Sequence, residues 1–249
     1  MKLKQLAATL ALAAAASTSF ATEVLPGNET SLQTIINGLY TCDTCSGSAA
    51  APNVNTDQAN ESGLFQIEAS GGSIATMIIE VAGNATTNTF GIYDPYNIAN
   101  RLELFSGAAS GGTKSLLMID DDNNFVVNFN TAGAVQFSTS LFGYYLRTAT
   151  GLTFFSQAEK NANGDDNMVA YRGDGDTIDL PGAAPGVWGT SSYILAWEDL
   201  PLADSDRDYN DMVVYVESIT AVPEPASLAL LGLGLAGIAA ASRRKAKKA

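Results

Sequence analysis

Histidine is absent from the 249-residue sequence, and this absence excludes several classes of chemistry. Serine and cysteine hydrolases with an imidazole base, zinc sites with imidazole ligands and histidine proton switches all require that side chain. Basic residues are also scarce, because 13 Lys and Arg stand against 26 Asp and Glu and leave a net charge of -13. Such a chain is repelled by the phosphate backbone, so we expect no nucleic-acid partner. The side chains that remain for chemistry are mostly carboxylates, which suit hard cations.

The first residues have the features of a secretory signal rather than of a folded domain. Lys2 and Lys4 precede an apolar stretch over residues 6–16, and small residues stand where a signal peptidase cuts. We predict a signal peptide over residues 1–21, with cleavage after Ala21. A retained anchor helix is the alternative, but the apolar stretch is short for a bilayer core.

The C-terminal end has three parts in a fixed order. Pro223-Glu224-Pro225 is followed by an apolar run over residues 226–241 and by a basic cluster over residues 243–248. A helix of about 16 residues spans about 24 Å, which is short but able to cross a membrane. Because basic residues stay on the cytoplasmic side, we expect residues 226–242 to anchor the chain transiently, with the preceding residues outside the inner membrane.

This tail, residues 222–249, resembles the PEP-CTERM sorting signal of Gram-negative bacteria in all three parts. The resemblance implies that an exosortase-type membrane protease recognises Pro223, Glu224 and Pro225 and cuts nearby. It also implies an exported protein that reaches the cell surface or the extracellular space and accompanies exopolysaccharide production and biofilm formation. An extracellular polysaccharide is the partner that the resemblance suggests.

Residues 22–62 form an N-terminal segment rich in threonine, serine and asparagine. A short helix, capped by Thr30 or Ser31, is predicted from apolar residues at helical spacing, namely Leu32, Ile35, Ile36 and Leu39. Cys42 and Cys45 follow, and in an exported chain their spacing predicts a local disulfide. A redox or metal-binding role is the alternative, although one thiol pair leaves a metal half coordinated.

Residues 63–221 consist of short β-rich segments separated by Gly, Asn, Asp and Ser clusters. We predict about a dozen strands, at residues 64–67, 74–81, 89–93, 102–105, 115–119, 125–129, 134–137, 141–146, 152–155, 168–171, 193–197 and 212–219. Their spacing, and the lack of long helical periodicity, favour an all-β fold, specifically a jelly-roll-like β-sandwich.

Removal of both ends makes the remaining chain more acidic, since residues 22–221 hold six basic and 25 acidic side chains, a net charge of -19. The acids are concentrated in four loops, which contain Asp120–Asp122, Asp165–Asp166, the group of Asp174, Asp176 and Asp179, and the cluster from Glu198 to Asp211. Like charges about 4 Å apart repel by roughly 1 kcal/mol even in water. Either these loops are solvated turns that hydrogen-bond their own backbone, or a cation such as calcium lies among them. The loop from Asp204 begins like an EF-hand, but Tyr209 stands where that loop requires glycine.

The densest cluster carries a second resemblance. The stretch Ala196-Trp197-Glu198-Asp199-Leu200-Pro201, followed by Asp206-Arg207-Asp208-Tyr209-Asn210-Asp211 and an apolar strand, is similar to the signature of the domain of unknown function 4114 family. The similarity is strongest within residues 142–220, and the family is β-rich, exported and suspected of binding calcium. It implies six metal ligands or ligand-orienting groups, namely Glu198, Asp199, Asp206, Asp208, Asn210 and Asp211. Weaker candidates for a metal site are Asp174, Asp176 and Asp179.

Three functions are compatible with these features. The first is a non-catalytic extracellular or surface protein whose β-domain is stabilised by calcium and which associates with the polysaccharide matrix. The second is a carbohydrate-binding module with an aromatic sugar site that includes Tyr144, Tyr145 and Trp197, although aromatic residues of this kind are more often core and cross-strand pairs. The third is a glycoside hydrolase with two carboxylates, for which Glu80 and Glu103 in predicted strands are the candidates. We favour the first, because the acids crowd together in loops instead of occupying contrasting environments.

Overall fold

The computed structural model describes residues 21–40, 51–59, 61–68, 72–80, 88–106 and 109–222. The predicted disulfide between Cys42 and Cys45, the sorting motif from Pro223 onward and residues 1–20 of the predicted signal peptide lie outside these residues. Within the described ranges, no helix has the length and apolarity that a membrane crossing requires.

The predicted N-terminal helix is confirmed as α1 (Leu32–Leu39). Ser31 is its N-cap, because its side chain accepts a hydrogen bond from the Thr34 backbone N–H at 3.3 Å. The apolar residues at helical spacing all lie on the buried face of the helix: Leu32, Ile35, Ile36 and Leu39. The helix therefore docks by one apolar stripe.

Fifteen strands are formed by the described residues, and each of the twelve predicted segments overlaps at least one of them. They are β1 (Phe65–Ile67), β2 (Ser73–Glu80), β3 (Thr89–Asp94), β4 (Asn97–Phe105), β5 (Lys114–Ile119), β6 (Asn124–Val127), β7 (Val135–Gln136), β8 (Gly143–Arg147), β9 (Thr153–Phe155), β10 (Met168–Arg172), β11 (Thr177–Ile178), β12 (Gly186–Val187), β13 (Ser192–Trp197), β14 (Met212–Glu217) and β15 (Ile219–Ala221). Short 3-10 helices occur at Thr131–Gly133, Ala158–Lys160 and Ala162–Gly164. The last predicted strand is divided at Ser218, whose φ of 60° turns the chain from β14 into β15.

Two antiparallel sheets make up the body of the fold. The larger sheet has the order β10-β13-β14-β2-β5-β6-β7, and the smaller has the order β4-β3-β8-β9. Two short pairs, β1 with β15 and β11 with β12, lie beside them. The predicted all-β sandwich is thus confirmed.

The central strands of the larger sheet are buried on both faces. In β13, Leu195 and Trp197 face the core shared with the smaller sheet, while Ile194 and Ala196 face a second core. The second core also contains α1 and Val24 from the N-terminal segment. Because successive strand residues point to opposite faces, this unbroken apolar strand requires a layer on each side.

The aromatic residues predicted for a sugar site do not form an exposed platform. Tyr144 and Trp197 are at most 1% exposed and pack around Phe90 between the two sheets, so the prediction is wrong for these two residues. Tyr145 lies on the outer face of the smaller sheet, where the Arg101 guanidinium covers its ring at 5.6 Å from the centroid.

Candidate metal centre

The densest acidic cluster is the connection between β13 and β14. Trp197 at the end of β13 pairs with Met212 at the start of β14, so the two ends of the connection between these strands lie side by side. Glu198 and Asp199 therefore lie opposite Asp211, although 12 positions separate Asp199 from Asp211 in the chain. The sheet register converts a long acidic stretch into a compact loop.

Two residues of the loop with left-handed backbone conformation, Arg207 and Tyr209, separate its side chains onto different sides. Arg207 and Tyr209 have φ values of 59° and 53°, in the left-handed region that costs a non-glycine residue about 1 kcal/mol or more. The Arg207 Nε donates to the Leu202 carbonyl at 3.2 Å, and the Tyr209 hydroxyl donates to the Asp166 carbonyl at 2.6 Å. Both side chains are held away from the carboxylates between which they stand in the sequence.

Three carboxylates converge as a result, and we call them the carboxylate triad. Glu198, Asp206 and Asp208 each offer an oxygen, and these oxygens all lie within 4.8 Å of one another. Glu198 and Asp208 are 1% and 2% exposed, whereas Asp206 is open to solvent. The triad thus has a buried floor and one accessible side.

Hydrogen bonds fix the two buried members of the triad. Glu198 Oε1 accepts the Tyr209 backbone N–H at 2.8 Å. Asp208 accepts two bonds from Asn210, one from its backbone N–H at 3.2 Å and one from its side-chain Nδ2 at 2.6 Å. Asn210 therefore orients Asp208, which is one of the two roles predicted for it from the sequence.

Burial opposes ionisation of these acids. It raises the pKa of Glu198 to about 7, against hydrogen bonds that lower it, and the charges of Asp208 and Asp206 raise it further. Burial likewise raises the pKa of Asp208 to about 6, with added repulsion from Asp206 and Glu29. Without a cation, full ionisation of the triad is unfavourable. A bound divalent ion would offset both the desolvation of the buried carboxylates and the repulsion between the three negative charges.

An N-terminal strap, residues 22–30, covers this loop. The Leu25 backbone N–H donates to the Arg207 carbonyl at 2.8 Å, and Asn210 Nδ2 donates to the Thr30 carbonyl at 3.0 Å. Gly27 passes so close that a Cβ there would lie 1.9 Å from Asp208 Oδ2. Sequence reasoning missed the strap, because nothing in residues 22–30 signals a contact some 180 positions away.

The six predicted ligands separate into two groups. Asp199 and Asp211 form a pair beside the triad, since Asp211 Oδ2 accepts the Asp199 backbone N–H at 2.8 Å. Asp199 in turn accepts a hydrogen bond from Asn88 Nδ2 at 3.0 Å. Burial, and then the charge of Asp199, raise the pKa of Asp211 to about 8. This carboxyl is therefore largely protonated at neutral pH.

The other acidic loops have the geometry of turns. Asp174 accepts the Asp176 backbone N–H at 3.0 Å, and the Asp179 backbone N–H donates to the Leu39 carbonyl. Asp120 accepts hydrogen bonds from the Asn124 side chain and backbone, which lower the pKa of Asp120. Within the described ranges, the triad is the group of three acids whose oxygens approach this closely.

The donor set of the triad fits a hard cation. All three groups offer carboxylate oxygens, and the soft thiolate or imidazole ligands preferred by zinc do not contribute. Calcium tolerates irregular oxygen geometry, whereas magnesium demands a near-ideal octahedron and retains several waters. The open side at Asp206 leaves room for water ligands.

Fold and site together define an all-β sandwich whose longest acidic loop gathers buried carboxylates under an N-terminal strap. Residues 111–219 match the family model described as Domain of unknown function (DUF4114), and residues 221–245 match the PEP-CTERM protein-sorting motif. Residues 111–219 are thus similar to the DUF4114 family, and a PEP-CTERM sorting motif follows them. No curated protein and no solved structure matches the chain significantly.

The sorting motif fixes the route of the protein. A PEP-CTERM signal marks the chain as exported, processed by an exosortase and held transiently at the membrane on its way to the surface. The DUF4114 match begins at residue 111, ahead of β5, so the sandwich also uses strands β1 to β4 that precede the match. The family region is therefore part of a larger fold.

Proposed function

We propose that this protein is a non-catalytic component of the cell surface or extracellular matrix whose sandwich is stabilised by calcium at Glu198, Asp206 and Asp208. The observation that supports the proposal is the triad itself, two buried carboxylates and one exposed carboxylate within 4.8 Å. A bound calcium would supply positive charge to this oxygen cage. The net charge of -19 over residues 22–221 adds a general need for cations outside the cell.

The chain around the triad would transmit this stabilisation to the fold. Glu198 follows the central strand β13, and Asp208 is in contact with the strap through Gly27. Ionised carboxylates held by a cation would tie the β13–β14 connection to the N-terminal segment. Ligand binding to the folded state alone raises stability in proportion to its affinity and concentration.

A hydrolytic role has less support from the geometry. Glu198 and Asp208 are almost wholly buried beneath the strap, where a sugar ring has no access. Glu103 is exposed on β4 and is the one acid among the described residues that line the groove on that sheet. Glycosidases require two carboxyl groups on either side of the scissile bond. We therefore propose a binding and structural role.

The direct test is equilibrium unfolding with excess calcium and with a chelator. We expect calcium to raise the denaturation midpoint of the exported chain, and Asp206→Asn to abolish most of this rise, because Asn removes one of three ligand charges. Asp121→Asn is the matched control, since Asp121 is an exposed acid in another loop. An unchanged midpoint in wild type, or an equal loss of the rise in both variants, would refute the calcium site.

A groove on the outer face of the smaller sheet supports association with an acidic polysaccharide. Its volume is about 570 Å³, within the range of small-ligand sites. Arg101 and Arg147 line it, and they are two of only six basic residues between positions 22 and 221. Arg101 is fixed by hydrogen bonds to the Ile98 carbonyl at 2.7 Å and to Thr153 Oγ1 at 3.2 Å. A guanidinium held in this way is suited to the carboxylates of uronic acids.

Binding of hyaluronan, a soluble uronate polymer, tests the groove. We expect saturable binding that weakens about tenfold in Arg147→Ala, because one charge-assisted contact is removed. Arg172→Ala is the control, since Arg172 is an exposed arginine on β10 outside the groove. Equal binding by wild type and Arg147→Ala would exclude the groove as the saccharide site.

A further inference from the structure

A polar pocket lies where the N-terminal segment meets the sandwich. Its volume is about 380 Å³, and its walls include Ala21, Thr22 and three carboxylates, those of Glu61, Glu159 and Asp166. Among the described residues that line it, there is no lysine or arginine. Burial and neighbouring like charges disfavour the ionised form of a carboxyl group, and a positive group nearby favours it.

Thr22 is held at this pocket by three hydrogen bonds. Its backbone N–H donates to Gln58 Oε1 at 2.9 Å, and its carbonyl accepts from Gln58 Nε2 at 2.7 Å. Its hydroxyl donates to Asp166 Oδ2 at 2.7 Å. The Thr22 nitrogen therefore has a fixed acceptor in Gln58, and the side chain of the same residue contacts the Asp166 carboxylate.

Two carboxylates of the pocket, those of Asp166 and Glu61, resist ionisation in the unprocessed chain. Burial raises the pKa of Asp166 against hydrogen bonds from Thr22 and Met168 that lower it. Burial also raises the pKa of Glu61 to about 8, and the charge of Asp166 adds to that rise. A positive charge in the pocket would lower the pKa values of both Asp166 and Glu61.

We propose that this pocket binds the α-ammonium group that signal-peptide removal creates on Thr22. The proposal depends on the cleavage after Ala21 predicted from the sequence. Hydrolysis of the Ala21–Thr22 peptide bond consumes one water and leaves a carboxylate on Ala21 and an amine on Thr22, which is protonated near neutral pH. One amide N–H thereby becomes an ammonium with three donors, able to keep the bond to Gln58 and to pair with Asp166.

The new ion pair would fix the start of the strap. The strap runs from Thr22 to the candidate metal centre, where the Leu25 backbone N–H donates to the Arg207 carbonyl and Gly27 lies against Asp208. Removal of the signal peptide would therefore complete the packing of the strap only after export. Chains that have kept the signal peptide lack this charge at Thr22.

The test compares two forms of the otherwise mature chain, one beginning at Thr22 and one retaining Ala21 with an acetylated, uncharged α-nitrogen. Denaturation midpoints are measured from pH 6 to 10 in chelator, so that the outcome does not depend on calcium binding. We expect an unfolding equilibrium constant about tenfold smaller for the Thr22 form at pH 7. Pairing raises the pKa of the ammonium above its unfolded value near ~8, so the advantage is full below that pH and disappears above the folded pKa.

Charge variants identify the partner. Asp166→Asn keeps an acceptor for the Thr22 hydroxyl but removes the charge, and it should abolish the difference between the two forms. Asp165→Asn, which changes the adjacent acid, should preserve that difference. Equal stability of the two forms at pH 7, or a difference that survives in Asp166→Asn, would overturn the proposal. If Asp166→Asn does not fold, NMR titration of the wild-type Thr22 amine decides, since an amine pKa no higher than in the unfolded chain also overturns it.

Discussion

The two buried carboxyl groups of the carboxylate triad contribute to how this protein responds to pH. The pKa of Glu198 is raised to about 7 and that of Asp208 to about 6, both above the values of an unfolded chain. For acids with raised folded pKa values, stability is complete below the unfolded pKa and is lost as pH rises through the folded pKa. We therefore expect the chelated protein to lose stability between about pH 5 and pH 8. Urea midpoints across that range provide the measurement, and a midpoint that rises steadily with pH in chelator would contradict the expectation.

Gly27 is required by the close approach of the strap. A Cβ at this position would lie 1.9 Å from Asp208 Oδ2, so Gly27→Ala must displace either the strap or the carboxylate. We expect a loss of about 1–3 kcal/mol in stability, as for overpacking, together with weaker calcium stabilisation. Gly189→Ala is the matched control, because a Cβ there meets no atom within 4 Å. Thermal unfolding of both variants with and without calcium distinguishes the two effects.

The acids could be found from the sequence, but their grouping could not. Local density identified Glu198, Asp206 and Asp208, because they lie within one connection between strands. Their separation from Asp199 and Asp211 depends on left-handed backbone at Arg207 and Tyr209, which residue type disfavours. The strap above them comes from the other end of the chain, and a single sequence carries no local signal for such a contact.

At the scale of elements, the positions of the strands could be predicted from the sequence pattern, whereas the order of the strands within the sheets could not. Strand β13 is apolar from Tyr193 to Trp197 and β14 from Met212 to Val216, and such continuous apolar runs predict burial on both faces. Neighbours such as β14 and β2 lie far apart in the sequence, and no turn signal connects them. The buried positions of Tyr144 and Trp197 follow from this order, because both point into the space between sheets. Aromatic content alone did not decide between core packing and a surface site.

The β13–β14 connection contains two kinds of acid, and one variant separates them. We expect Asp211→Asn to retain the calcium-dependent rise in midpoint, because Asp211 pairs with Asp199 outside the triad. We expect Asp208→Asn to lose it. Asp211→Asn should also stabilise the protein above about pH 8, where it removes the ionisation of a buried carboxyl. If both variants lost the calcium response equally, the cation would lie across all four acids.

At the scale of the whole molecule, the folded sandwich ends beside the sorting signal. Strand β15 ends at Ala221, paired with Phe65, and the Val222 backbone N–H donates to the Leu64 carbonyl at 2.8 Å. The Pro-Glu-Pro motif begins at the next residue. A sandwich held so near the membrane must complete its cores outside it, where the proposed calcium ion and the proposed free amine of Thr22 would be available.

Processing at the motif should be separable from folding. We expect Pro223→Ala combined with Pro225→Ala to leave the chain full-length in the membrane fraction, because the protease no longer recognises its site. The denaturation midpoint should stay unchanged, since the last hydrogen bond of the sandwich belongs to Val222. Val222→Ala is the control, because it keeps both prolines and that backbone bond. Intact-mass analysis of membrane and extracellular fractions gives the answer, and normal release of the double variant would show that sorting uses other residues.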